Sequence, residues 1–369
     1  MGGVQRLRSS HKMLTRTQKK SAAFIIAAQT CTRIGDVVTN PKTVLTWLLS
    51  QLGTGGFLIG MVVPIRESGS MLPQLFISSW VKRARVRKRV FVYGALAQAA
   101  CIAMMGLSAL FMSPSQAGIV VLIALAAFSI SRAFCSISSK DVLGRAIPKG
   151  ARGRVTGISA TLSGILSALA AAGLIFFRDE DTARLLALIV LAASSMWIIG
   201  ASFYMCVHEP IPEAEPEKQH PLLSDIGKRI GMVTSDPLFR RFVIARSLLL
   251  GSALASPLLV VLAQVKAGSL LALAGFLFAL AIATATSSFF WGKLADRASH
   301  QAMAIGGLLS SITGGAAISI ALWLPTLAEQ IYIWPVLFLL FNLGYTGVRL
   351  GRKVWVVDSV EGDQRTDYV

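Results

Sequence analysis

Charge is what this chain has least of. Only 15% of its 369 residues are charged, against about 25% in a soluble domain. Acids are scarcer still: 18 Asp and Glu stand against 36 Lys and Arg. Such low counts exclude a disordered polar chain and an ordinary cytosolic enzyme. There are only four cysteines, Cys31, Cys101, Cys135 and Cys206, all in apolar stretches and without C-x-x-C spacing. That excludes a disulfide scaffold and points to packing rather than metal ligation. The four histidines, His11, His208, His220 and His300, all sit in hydrophilic segments. No glycine-rich phosphate loop, G-x-S-x-G elbow or H-E-x-x-H pair occurs, so no catalytic constellation, metal site or cofactor motif is expected. ATP-driven transport by this chain alone is not expected, on the same ground.

What the chain has instead is hydrophobic length. The hydrophobic residue types make up 54% and mean hydropathy is +0.64. Windows of about 20 apolar residues are long enough to cross a bilayer. They fall near 21–50, 54–77, 90–111, 116–138, 155–177, 185–207, 241–265, 270–291, 302–323 and 331–350, which predicts an all-α polytopic membrane protein of ten spans. The first window is too long for a straight span and contains Pro41, so a bend is expected there.

The net charge of +18 resembles that of a nucleic-acid-binding protein, but its placement predicts no nucleic-acid partner. With the N-terminus in the cytoplasm, the inside segments 1–20, 81–89, 139–154, 208–241, 292–301 and 349–369 carry 28 basic residues. The outside loops carry only Arg178, Arg184 and Lys266. That asymmetry obeys the positive-inside rule and predicts a multi-pass protein of the inner (plasma) membrane with both ends cytoplasmic. Residues 1–20 read as a basic arm held at an anionic inner leaflet, or as a leader that only orients the chain. They lack a cleavable-signal pattern.

The sequence also repeats. A shift of 212 sets WVKRARVRKR (80–89) over GKLADRASHQ (292–301), matching Arg85 to Arg297; a shift of 213 matches Lys140 to Lys353 and Arg152 to Arg365, and one of 216 matches Pro41 to Pro257. Such order at a near-constant offset predicts two related bundles. The expected layout is an arm (1–20), a six-helix bundle (21–207), a linker (208–240), four helices (241–350) and a tail (351–369). Within the linker, LLSDIGKRIGMV has amphipathic spacing and reads as an interfacial helix.

Gln29, Arg33, Asp36 and Asn40 share one face of the first span, and Glu67, Ser70 and Gln74 form a polar face on the second, with Arg66 about 100° away. Charges in mid-bilayer cost roughly 2.5–3.5 kcal/mol each on insertion scales, so these faces must look into protein or a wet cavity. The spacing predicts an Arg33–Asp36 pair and a network between the two helices. The stripe reads as a substrate or proton path, with a buried structural ion pair as the alternative. An anionic solute could use Arg33 or Arg66; a protonatable Asp36 or Glu67 could couple transport to protons. Lys42, Arg132 and Arg246, nearer helix ends, are expected to snorkel. Gly157, Gly164 and Gly173, with Ser163 and Ser167, read as a helix-packing surface.

Gly292-Lys-Leu-Ala-Asp296-Arg297, between the second and third helices of the second half, resembles the cytoplasmic G-x-L-a-D-R motif of the major facilitator superfamily. Gly35-Asp36 is similar to a glycine–acid pair common in the first helix there. The first-half copy of the motif is degenerate, with Trp80 for the glycine and Ala84 for the aspartate, leaving Arg85. The resemblance covers nearly the whole chain and implies alternating-access transport of a small solute, with Arg85, Asp296 and Arg297 at a cytoplasmic gate. Against the family's six-plus-six pattern the second half supplies four helices, so the chain reads as a fragment, the product of a shortened reading frame or a natural ten-span variant, and poor or no transport by these ten helices alone is expected. The rival function is a sensor or assembly partner that keeps the fold without the path.

Overall fold

The computed structural model describes residues 15–71, 77, 80–81, 84–148, 151–173, 182–210, 237–249, 251–267 and 270–358. No strand occurs among the described residues. The helices are α1 (Arg16–Val38), α2 (Val44–Gln51), α3 (Gly56–Met71), α4 (Arg87–Phe111), α5 (Pro114–Ala146), α6 (Arg152–Gly173), α7 (Thr182–Met205), α8 (Pro237–Leu249), α9 (Gly251–Ala267), α10 (Leu270–Trp323), α11 (Pro325–Ala328) and α12 (Ile333–Asp358). Within the described residues the ten apolar windows fall on these helices, on pairs of them (21–50 and 241–265) or on the two parts of α10 (270–291 and 302–323). Among the described residues, five helices are long and apolar enough to cross a membrane by length and composition: α4, α5, α7, Arg297–Trp323 and Ile333–Arg352. Most of the arm, most of the linker with its expected interfacial helix, and residues 359–369 lie outside the described residues.

Local chemistry explains the interruptions. Pro41 has no N–H to continue a helix and disfavours helical geometry in the residue before it. The chain therefore breaks between Val38 and Val44. The freed groups are satisfied locally: Asn40 Oδ1 accepts the Lys42 N–H at 2.8 Å, and the Pro41 carbonyl accepts the Thr46 hydroxyl at 2.7 Å. The bend read from Pro41 is a full break, and it turns Lys42 away from the helix axis. In α10 the backbone of Ala298 is extended (φ −156°, ψ 83°), so two helices meet there, inside the basic stretch read as a loop.

Helix α4 packs against α5 and α7, α1 against α6 and α7, and α3 against α5; in the second half α10 lies along α9 and α12. Across the halves, α9 meets α2 and α3, and α10 meets α6. Small residues set the closest approaches. A Cβ on Gly35 would lie 2.7 Å from the Trp197 ring, which fixes why glycine precedes Asp36. Gly306 likewise lets α10 touch the α12 backbone, where a Cβ would lie 2.6 Å from the Gly344 carbonyl oxygen. The packing surface expected on α6 is corrected in part: Ser163 is buried, with Ser159 beside it, but a Cβ on Gly157 or Gly164 would meet nothing within 4 Å among the described residues.

One end of the first half is tied by charge. Val86, ahead of α4, provides no side-chain cap, and the first turn contains no acid. Glu209, just past α7, supplies both. Its carboxylate, 1% exposed, accepts the Arg87 and Lys88 backbone N–H groups at 3.2 and 2.8 Å and pairs with Arg145 of α5 at 2.8 Å. An anion on a helix N-terminus meets both orphan donors and dipole. Reciprocally, Lys88 Nζ donates to the Met205 and Val207 carbonyls at 3.0 and 2.8 Å at the end of α7, and Arg87 pairs with Asp141 at 2.8 Å. Glu209→Ala should cost about 3 kcal/mol, since it strands a half-buried arginine and two backbone donors; Glu209→Gln should cost less because an amide oxygen still accepts. Thermal unfolding in detergent checks this, and an unchanged melting temperature in the alanine variant would contradict it.

Candidate functional site

The break after α1 places Asp36 and Lys42 where α1, α3 and α5 converge. The Asp36 carboxylate is shared. Arg132 of α5 donates from Nη1 to Oδ1 in a short ion pair, and Arg66 Nη2 lies 3.7 Å from the same oxygen. Lys42 Nζ is 3.5 Å from Glu67 Oε1 and stands 4.2 Å from the centre of the Tyr345 ring, which belongs to α12 in the other half. A network between the first two spans is therefore present, and it reaches further than the sequence suggested.

The pairing differs from the expected one. Arg33 makes no ion pair within 4 Å among the described residues, and Asp36 turns to the neighbouring helices instead. Arg132 does not snorkel: α5 runs for 33 residues, well past the window read as a span, and leaves Arg132 near its middle. Lys42 does not snorkel either, because the Pro41 break points it across the seam. The Arg246 side chain lies outside the described residues, as do those of Ser70, Gln74 and Asp296.

The remaining stripe residues hold the frame. Gln29 Oε1 accepts the Ser159 hydroxyl at 2.9 Å, tying α1 to α6, and Asn40 closes the turn before Lys42. Arg66 is braced from behind. Its guanidinium lies 4.8 Å from the Phe128 ring centre, and Phe128 meets Trp197 edge to face at 5.4 Å. Trp197 donates its indole N–H to Gln98 Oε1 at 3.2 Å, and Gln98 Nε2 donates to Cys135 Sγ at 3.0 Å. Nothing in the periodicity marked Gln98 or Trp197. A charge tally would have marked Arg132, because Asp36 and Glu67 are the only acids in the ten windows.

Beside the cluster the halves close on each other. The Trp47 carbonyl accepts from Gln264 Nε2 of α9 at 3.4 Å, and the Trp47 ring meets Phe276 of α10 at 6.3 Å between centroids. Of the residues assigned to a cytoplasmic gate, Arg85 is exposed and its carbonyl accepts from Arg145 at 3.4 Å, while Arg297 is exposed beside the Ala298 break. A half-buried polar centre among three helices, with a cation bridging to the opposite half, can hold a polar solute at the seam and release it when the seam parts.

No curated protein matches the chain. Solved structures do, at low identity and over nearly all of it. A bacterial homolog of the human lysosomal transporter Spinster, inward-facing and unoccupied, shares 15% identity at a TM-score of 0.65, covering 96% of this chain and 78% of that one. A mutant of the nucleoside transporter NupG shares 11% at 0.60, covering 95% and 94%. A mutant of the E. coli fucose:proton symporter shares 13% at 0.52, covering 96% and 95%. These likenesses establish the fold. The sequence profile of the Major Facilitator Superfamily matches residues 25–367, and the chain belongs to that family of transporters.

Proposed function

We propose that this chain moves a small solute across the membrane by secondary transport, and that Asp36, Arg66 and Arg132 form the polar centre of its path. The observation that carries this reading is the position of the cluster: three helices of one half supply it, and Lys42 carries it to Tyr345 of the other. Charges in a membrane interior persist where they work, since each costs roughly 2.5–3.5 kcal/mol to insert. Rocking of the halves would part α2 from α9 and Lys42 from Tyr345, exposing the centre to the other side. Asp36 and Glu67 are the groups able to couple such a cycle to protons. Arg33, Gln29 and Asn40 border the path; Arg85, Asp296 and Arg297 act at the opposite mouth.

The orientation belongs to the same proposal: inner (plasma) membrane, both ends cytoplasmic, the basic arm on the anionic leaflet, and bundles at 21–207 and 241–350 joined by the linker 208–240. Reporters fused after Lys88, Arg154 or Lys228 should then read cytoplasm, and those after Ser113 or Asp181 the outside. A cytoplasmic signal at Asp181 would overturn the topology.

Alternating access requires the α2–α9 seam to open. With the four native cysteines replaced, Trp47→Cys with Gln264→Cys should cross-link under oxidant, stop flux in proteoliposomes, and recover on reduction. Undiminished flux in the cross-linked protein would contradict the reading.

A further inference from the structure

We propose that the solute carries an oxyanion group (carboxylate, phosphate or sulfate) that docks between Arg66 and Arg132 in exchange for the Asp36 carboxylate. The inference rests on the transport reading and names the solute class for that same centre. Its first support is charge balance. Apart from Arg241 and Arg349 at their cytoplasmic edges, the ten apolar windows contain five bases, Arg33, Lys42, Arg66, Arg132 and Arg246, and two acids, Asp36 and Glu67. Glu67 is engaged by Lys42, which leaves Asp36 as the carboxylate facing the arginines.

Geometry supplies the second support. Both guanidiniums address one oxygen of Asp36, Oδ1, so neither makes the two-pronged contact that a guanidinium fork prefers with an oxyanion. Each guanidinium has five N–H donors, and a single shared oxygen uses few of them. An incoming oxyanion can offer two or three oxygens to the same pair. Arg66 is held for this by the Phe128 ring, and Arg132, 36% exposed, is open to approach. Arg33 stands one turn before Asp36 on α1 and adds positive potential without a carboxylate of its own among the described residues. Asp36 is thus a resident competitor: it neutralises the pair while the site is empty and yields to the solute.

That role makes a prediction that a merely structural ion pair does not. In the purified full-length chain, succinate, inorganic phosphate and sulfate, compared at matched ionic strength, should raise the melting temperature saturably for at least one of the three. Sorbitol and putrescine, neutral and cationic controls, should not. The anion that acts tells a carboxylate site from a phosphate or sulfate site. Arg66→Gln and Arg132→Gln should each weaken the apparent affinity about tenfold or more, consistent with loss of a charge-assisted contact, whereas Asp36→Asn should tighten it several-fold. Arg132→Lys, which keeps the charge and loses the fork, serves where a glutamine variant fails to insert, and should also weaken binding. Stabilisation by none of the anions, unchanged affinity in the arginine variants, or weaker binding in Asp36→Asn would overturn the proposal. Flux blocked by the Trp47–Gln264 cross-link without any oxyanion binding would sink this inference and leave the transport reading standing; oxyanion binding by a folded, uncross-linked protein that supports no flux of any solute would do the reverse.

Discussion

The sharing of one carboxylate by two arginines governs the first half of this protein. Asp36 draws Arg66 and Arg132 to a single oxygen, and with them α3 and α5 to α1. Between membrane helices no hydrophobic effect favours association; packing and polar contacts do that work. An ion pair in such surroundings fixes the azimuth of each helix, since turning any of the three would leave a charge facing lipid. The neighbouring features fall in with it. Gly35 lets α1 close on Trp197, Trp197 backs Phe128, and Phe128 carries the Arg66 guanidinium.

The two ends of the protein use charge differently. Beside the break after α1, Lys42 makes a charged link between the halves, to an aromatic face rather than an acid. A cation over a ring is worth about 0.5–2 kcal/mol, weak enough to break in a transport cycle. At the other end, Glu209 is sequestered and saturated by Arg145 and two backbone donors of its own half. It stiffens α4, α5 and α7 as one body. A rigid half with a separable seam is what rocking requires.

Much of the architecture was legible in the amino-acid sequence because it follows from one-dimensional rules. Apolar length located the helices, Pro41 located the break in α1, and the basic stretch at 292–301 contained the Ala298 interruption. The polar stripe from Gln29 to Asn40 was legible for the same reason: spacing of three and four sets residues on one face. Pairing was not. Arg33 and Asp36 share a face, yet the carboxylate is taken by helices whose azimuths no single-helix pattern encodes. The length of α5 beyond its apolar window moved Arg132 from helix end to helix middle. Gly157 and Gly164 show the converse, small residues whose neighbours only tertiary structure could reveal to be missing. The Glu209 cap, more than a hundred residues from the helix it serves, has no local signal.

The central claim is that the shared carboxylate works on the solute rather than merely holding helices together. Asp36→Asn combined with Arg132→Gln removes one charge of each sign and leaves Arg66 alone against the Phe128 ring, so the fold should survive better than in Asp36→Asn, which strands both arginines. Solute flux through proteoliposomes containing that double variant, with insertion and folded yield verified, separates the two roles. The account predicts a folded protein without flux; a folded double variant with wild-type flux would reduce the pair to structure and contradict it.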